Sequence, residues 1–177
     1  MQQWLEPSPL LDAKTTPTSA QELPAEPQAE PSAWLLQVLL VEASPRKLQH
    51  TSDLLSHWKI VPTTACNGAQ ALALACEIRF DLILMDIAMP VMDGLQATQQ
   101  IRQVESKHPE RVRTHIVACT TGWLLRNKVF LARVGFDEAI NKPCHAGEMN
   151  ACIRRWSFGS KPAAPYDPGE FRIQSAV

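Results

Sequence analysis

Asp81-Leu82-Ile83-Leu84-Met85-Asp86-Ile87-Ala88-Met89-Pro90-Val91-Met92-Asp93-Gly94 decides how this chain folds. Leu82 to Met85 is an apolar run with no alternation, the pattern of a strand buried on both faces, as in a parallel sheet covered by helices on each side. Asp86 stands at the carboxyl end of that run. In open α/β sheets this end is where ligands bind and chemistry is placed. Pro90 cannot continue strand pairing, and Asp93-Gly94 supplies a turn and a helix start. Taken alone, Asp86 reads as a strand-end carboxylate capping a turn; its surroundings say more.

The pattern DLILMD-x-x-MPxMDG, matched here from Asp81 through Gly94, resembles the phosphoacceptor segment of response-regulator receiver domains, especially those of hybrid kinases. Leu95-Gln96-Ala97-Thr98 and Ile101-Arg102 continue the likeness. The resemblance implies that Asp86 accepts a phosphoryl group.

The 177 residues allow one domain of ordinary size with tails. A formal net charge of −1 gives no general attraction to nucleic acid or to an acidic membrane. There is no transmembrane-length apolar run and no signal-peptide pattern, so cytoplasmic residence is expected. The five cysteines (Cys66, Cys76, Cys119, Cys144 and Cys152) are widely spaced without a CxxC and read as reduced, small apolar residues.

Residues 1–33 carry Pro7, Pro9, Pro17, Pro24, Pro27 and Pro31 among few apolar residues, and read as a disordered leader. Trp4 and Leu5 are read as an incidental apolar pair rather than a docking element. Residues 34–158 read as the folded domain, and 159–177 as a flexible tail. Within the domain, Leu35 to Val41 is a second continuous apolar run, a central first strand ending at Glu42. Ser44-Pro45 opens a helix reaching about Trp58, with Leu48, Leu55 and Trp58 on one side. Ile60–Thr64 is a short second strand. After the Asn67-Gly68 turn, Ala71, Leu74, Ala75 and Ile78 mark a helix from Ala69, and Ala97, Ile101 and Val104 mark another from Leu95 to about Lys107. Pro109–Arg113 is a basic, solvated connection. Thr114–Cys119 is a fourth strand leading to Thr120, a helix runs from about Trp123 to Val134 and stops at Gly135, Asp137–Ile140 is a fifth strand, and Met149, Cys152, Ile153 and Trp156 give the last helix a core-facing stripe.

Strands alternating with helices in this way imply a doubly wound parallel sheet with right-handed crossovers. The expected fold is α/β and flavodoxin-like, a single domain with a five-stranded sheet in the order 2-1-3-4-5. That order sets the first and third strands side by side, so Glu42 and Asp86 approach each other at one edge. Thr120 brings a hydroxyl there from the fourth strand and Lys142 an ammonium from the fifth. Glu42 and Asp86 with the backbone carbonyl of Ala88 suit a hard divalent ion such as Mg²⁺. Transfer of a phosphoryl group to a carboxylate needs charge neutralisation on its oxygens, which Mg²⁺, Lys142 and Thr120 would supply.

The receiver resemblance extends over about Leu36 to Trp156. Val38-Leu39-Leu40-Val41-Glu42 looks like the family's first strand with its first acid, Ile116–Thr120 like its fourth strand and switch hydroxyl, and Asn141-Lys142-Pro143 like its Lys-Pro pair, whose Lys contacts the phosphoryl group. The resemblance implies a phosphoacceptor that assists its own Mg²⁺-dependent phosphorylation and is not otherwise an enzyme. Its donor would be a histidine kinase or a histidine phosphotransfer protein, and its output protein contact. Two positions depart from the family. Ala43 stands where a second acid, a direct Mg²⁺ ligand, normally follows the first. Ala139 stands where an aromatic normally turns inward as the hydroxyl moves, so the switch pair Thr120 and Ala139 lacks its ring; Trp123 or Phe136 are the candidate substitutes. These departures leave open an alternative, a phosphorylation-independent pseudo-receiver acting as an interaction module. A haloacid-dehalogenase-type hydrolase is disfavoured because Ala88 occupies the place of its second Asp, and a flavodoxin because the loop after the first strand has no phosphate cradle.

Overall fold

The computed structural model describes residues 36–158 and 172–173. The leader 1–33, with Trp4 and Leu5, lies outside the described residues, as does the tail 159–177 apart from those two positions. Five parallel strands form the body of one sheet in the expected order: β2 (Thr63–Ala65), β1 (Val38–Val41), β3 (Leu82–Asp86), β4 (His115–Thr120) and β5 (Glu138–Asn141). A short sixth strand, β6 (Arg172–Ile173), pairs in parallel with β5.

The apolar runs work as their lack of alternation requires. Leu39, Val41, Ile83, Met85, Ile116 and Ala118 point into one layer, while Val38, Leu40, Leu82, Leu84, Val117 and Cys119 point into the other. The first layer is covered by α2 (Gly68–Glu77), α3 (Gly94–Ser106) and α5 (Lys128–Val134), the second by α1 (Pro45–Ser56) and α6 (Ala146–Phe158). Both helix starts that follow a turn are capped by side chains: Asn67 accepts from the Gln70 N–H at 2.9 Å and Asp93 from the Gln96 N–H at 2.8 Å.

Several boundaries differ from the sequence reading for local reasons. α1 ends before Trp58, because Lys59 adopts a left-handed φ of 58° and Ile60 returns its N–H to the Leu55 carbonyl at 3.3 Å. Ile60 is thereby turned into the core, and β2 starts only after Pro62, which has no N–H to donate. The helix expected from Trp123 to Val134 is two pieces, α4 (Gly122–Arg126) and α5. Asn127 divides them by leaving helical geometry and capping the second piece, accepting from the Phe130 N–H at 3.2 Å. Gly135 does stop α5, with φ 116°, and the Gly135 and Phe136 N–H groups close on Leu131 and Ala132 carbonyls.

One arginine fastens the far side of the first layer. Arg102 of α3 donates to the Gly135 carbonyl, the Thr114 carbonyl and the Asp137 carboxylate at 2.7–2.8 Å, and pairs with Glu105 at 2.6 Å. Asp137 also accepts the Ile116 N–H at 2.8 Å, so the clamp sets where β4 begins.

Candidate functional site

Sheet register builds the site. Val41 lies opposite Met85, so the next residues out, Glu42 and Asp86, emerge side by side from adjacent strands. Asp86 is level with Cys119, so Thr120 follows one position beyond, and Thr120 is level with Asn141, which places Lys142 last in the row. The Lys142 N–H donates to the Thr120 carbonyl at 2.9 Å and anchors that end of β5 to β4. The four residues expected at the strand ends are thus brought together, with Glu42, Asp86 and Thr120 buried.

The Lys142 ammonium stands between the two acids. It pairs with Asp86 Oδ2 at 2.9 Å and with Glu42 Oε2 in a still closer contact. Each carboxylate also holds a backbone donor: the Ser44 N–H on Glu42 Oε1 at 3.0 Å and the Ala88 N–H on Asp86 Oδ1 at 3.3 Å. Burial pushes the Glu42 carboxyl up, but the Lys142 and Ser44 hydrogen bonds outweigh it and hold the pKa below its ordinary value. Burial dominates at Asp86 and raises its pKa, with the Glu42 charge adding to the rise and Lys142 opposing it. Burial pulls Lys142 down, yet hydrogen bonds to both carboxylates carry its pKa above the ordinary value. The two acids are therefore unlike: Glu42 is the settled ion, and Asp86 is the one held less comfortably charged.

The loop after β3 is closed by tight backbone contacts. The Gly94 N–H returns to the Ile87 carbonyl at 3.0 Å and the Gly68 N–H meets the Met92 carbonyl at 2.9 Å. A β-carbon on Gly68 would lie 2.7 Å and 2.8 Å from the Met92 and Asp93 carbonyl oxygens, so α2 packs on this loop only through a bare α-carbon. Val91, 86% exposed at the tip of the loop, has φ 69°, a left-handed conformation that a β-branched side chain rarely adopts.

The donor set fits Mg²⁺. Glu42 and Asp86 with the Ala88 carbonyl are hard oxygens, and this ion is ordinarily bound through one or two carboxylates while it keeps several waters. Ala43, half-buried directly after Glu42, adds no oxygen. Among the described residues no group of three His, Cys, Asp or Glu is arranged to hold a metal, so the set is an open one rather than an all-protein cage.

The two candidates for a replacement ring sit in different surroundings. Ala139 is completely buried in the first layer, level with Ala118. Phe136 is completely buried as well, locked into the core before β5 begins. Trp123 is 66% exposed on α4, its ring tilted against Phe130 with centroids 6.2 Å apart. Sequence reasoning missed the bridging position of Lys142 between both acids, and the close approach of Gly94 to Asp86. The glycine in Asp93-Gly94 was the available signal for the second, since a bare α-carbon also serves close backbone approach.

Among the described residues no helix is long and apolar enough to cross a membrane. The model of the response regulator receiver domain matches residues 38–154. The sensor histidine kinase GacS of Pseudomonas protegens is 32% identical over 133 residues, which cover 75% of this chain; the chain spans 14% of that kinase's length. A receiver domain of a Pseudomonas aeruginosa sensor histidine kinase, solved with magnesium coordinated in its active-site cleft, superposes with a TM-score of 0.60 at 30% identity, covering 69% of this chain and 97% of that one. The receiver domain of Saccharomyces cerevisiae Ssk1, solved with the histidine phosphotransfer protein Ypd1, gives a TM-score of 0.64 at 27% identity, covering 69% of this chain and 88% of that one. Fold, strand-end constellation and matched residues converge: the chain belongs to the response regulator receiver domain family of two-component signalling.

Proposed function

We propose that this domain accepts a phosphoryl group on Asp86 from a phosphohistidine of a histidine kinase or histidine phosphotransfer protein and signals by protein contact. The observation that carries this reading is the Lys142 ammonium 2.9 Å from Asp86 Oδ2. In the transfer an Asp86 carboxylate oxygen bonds to phosphorus, the phosphorus–nitrogen bond to the donor imidazole breaks, and the imidazole nitrogen keeps the electron pair. Lys142 offsets negative charge on the phosphoryl oxygens, and the Thr120 hydroxyl donates to one of them. Mg²⁺, held by Glu42, Asp86 and the Ala88 carbonyl, would supply the remaining positive charge. The raised pKa of Asp86 supports the assignment, since this is the acid whose charge the site neutralises least. The solved complex of the Ssk1 receiver with a phosphotransfer protein supports a donor of that class.

The test is intact mass after incubation with acetyl phosphate and Mg²⁺. A phosphate-sized gain in the wild type and none in Asp86→Asn is expected. A gain retained by Asp86→Asn would reject Asp86 as the acceptor. Ala43, which removes one metal oxygen, favours a second reading, a pseudo-receiver that binds partners without phosphorylation; no gain in either protein would establish it.

A further inference from the structure

Cys119 of β4, Cys144 in the loop between β5 and α6, and Cys152 of α6 share one place in the core. All three are free thiols, buried in the layer covered by α1 and α6. The strand-end site uses none of them, yet two stand directly behind it. Cys119 comes one residue before Thr120, and Cys144 two residues after Lys142. The backbone fixes both segments. Cys119 is level with Ile140 across the β4–β5 ladder, and the Lys142 N–H donates to the Thr120 carbonyl at 2.9 Å. On the α1 side His50 Nε2 lies 3.3 Å from the Cys144 carbonyl. A carbonyl can only accept, so that nitrogen donates.

The Cys119 and Cys144 side chains are hydrogen-bonded to each other, and the two thiols are unlike. The hydrogen bond from Cys119 lowers the Cys144 pKa, with the Lys142 charge adding to the fall and burial opposing it. The same hydrogen bond and complete burial drive Cys119 well up. Cys144 is therefore the more nucleophilic sulfur and Cys119 the one that keeps its proton. Burial also holds Cys152 well above the ordinary thiol value.

We propose that Cys119 and Cys144 are a peroxide-responsive dithiol that closes to a disulfide behind the strand-end site. In the first step the Cys144 sulfur attacks one oxygen of hydrogen peroxide. The O–O bond breaks, a sulfenic acid forms, and the displaced hydroxide takes up the Cys144 proton and leaves as water. In the second step the Cys119 sulfur gives up its proton and attacks the Cys144 sulfur. The S–O bond breaks, the S–S bond forms, and the oxygen leaves as a second water. The thiols are oxidised by two electrons and the peroxide is reduced. At 4% and 3% exposure, Cys119 and Cys144 admit only a small, uncharged oxidant of this class. The new bond joins the two backbones from which Thr120 and Lys142 project, so it pins the hydroxyl-bearing strand to the ammonium-bearing loop. This holds whether or not Asp86 is phosphorylated.

Peptide mapping of the full chain tests it, with the exposed Cys66 and Cys76 changed to Ser. After dilute hydrogen peroxide the intact mass should fall by two hydrogens, and dithiothreitol should restore it. Digestion with trypsin and a glutamate-specific protease, which separates Cys144 from Cys152 at Glu148, should find Cys119 linked to Cys144. Cys119→Ser should instead gain oxygen at Cys144. In the linked protein the Lys142 amide should exchange several-fold more slowly by NMR. A mass that does not fall, a link that includes Cys152, or a Cys144 left unoxidised in Cys119→Ser would overturn the dithiol. Unchanged exchange at Lys142 in the linked protein would overturn its hold on the site.

Discussion

Gly94 is pressed against Asp86: a β-carbon on Gly94 would penetrate the Asp86 carbonyl oxygen and stand 3.0 Å from the Asp86 carbonyl carbon and the Ile87 α-carbon. These are backbone atoms, so they cannot rotate aside. Gly94→Ala should therefore cost about 1–3 kcal/mol, the range for forced overpacking, and lower the extent of Asp86 phosphorylation with it. Gly147 lies in the first turn of α6 with open space around it, so Gly147→Ala should cost nothing. Thermal midpoints of the two variants check the contrast; equal midpoints would show that the loop after β3 yields easily.

Val91 should be improvable. Its φ of 69° is costly for a β-branched residue, and its side chain is solvent-exposed, so little packing is lost by changing it. Val91→Asn should stabilise by about 0.5–1 kcal/mol, because Asn tolerates the left-handed region. Urea midpoints measure this. An unchanged or lower midpoint would mean that Val91 makes a compensating contact.

The acids at the site predict opposite pH behaviour. Glu42 has its pKa depressed below 4.5, so its contribution is present above that value and is lost as pH falls through the folded pKa. Asp86 has its pKa raised above 3.8, so the folded state holds the extra proton in the window upward from 3.8, and stability there rises as pH falls. Lys142, raised above 10.5, contributes below that value and loses its contribution as pH rises through the folded pKa. Asp86→Asn should thus be at least as stable as wild type at neutral pH, by up to about 1 kcal/mol, since replacing a buried ion is often neutral or stabilising. Its acid limb should be steeper, with Glu42 no longer opposed. Urea midpoints from about pH 3 to pH 7 test both points; a destabilised Asn variant with a flatter limb would reverse the assignment of the two acids.

How much was legible in the sequence follows from which forces are local. Leu82–Met85 and Val38–Val41 announced buried strands because every side chain on both faces is apolar, and the sheet order then followed from the strand–helix alternation. Glu42, Asp86 and Thr120 were legible because each stands at the end of a buried strand, and Lys142 because Asn141-Lys142-Pro143 resembles the family's Lys-Pro pair after the fifth strand. What stayed hidden depends on partners distant in the chain. Nothing near Lys142 says that it will divide itself between two carboxylates, and nothing near Arg102 says that it will clamp Gly135, Thr114 and Asp137. The break at Asn127 was local but ambiguous, since Asn in a helical stretch can face solvent or cap a new helix. β6 went unread because its two paired residues lie in a stretch rich in Pro, Ala and Gly that reads as a tail.

Ala43 should weaken the metal site. The two carboxylates and one carbonyl have one fewer oxygen and one fewer charge than a site with an acid at 43, and ligand charge count tunes affinity. Ala43→Asp should bind Mg²⁺ several-fold more tightly by isothermal titration calorimetry. Equal affinity would show that Glu42 and water already complete the shell.

Phosphorylation, or beryllofluoride standing in for it, should reshape this domain less than a receiver with a ring at 139. A ligand shifts a two-state equilibrium only by its differential interaction with the two states. Thr120 can still move toward a phosphoryl group, but Ala139 has no side chain to follow it. Phe136 is fully buried in the core, and Trp123 is 66% exposed against Phe130. Amide exchange across α4, β5 and α6 should therefore change little when beryllofluoride is added to wild type. In Ala139→Tyr it should change more, after the overpacking cost of about 1–3 kcal/mol at a completely buried position has been read from the thermal midpoint. A large protection change in wild type that the Tyr variant does not enlarge would mean that another group couples Thr120 to the helices. β5 would be its natural carrier, because its backbone joins Thr120 through the Lys142 N–H and joins β6 at Ala139.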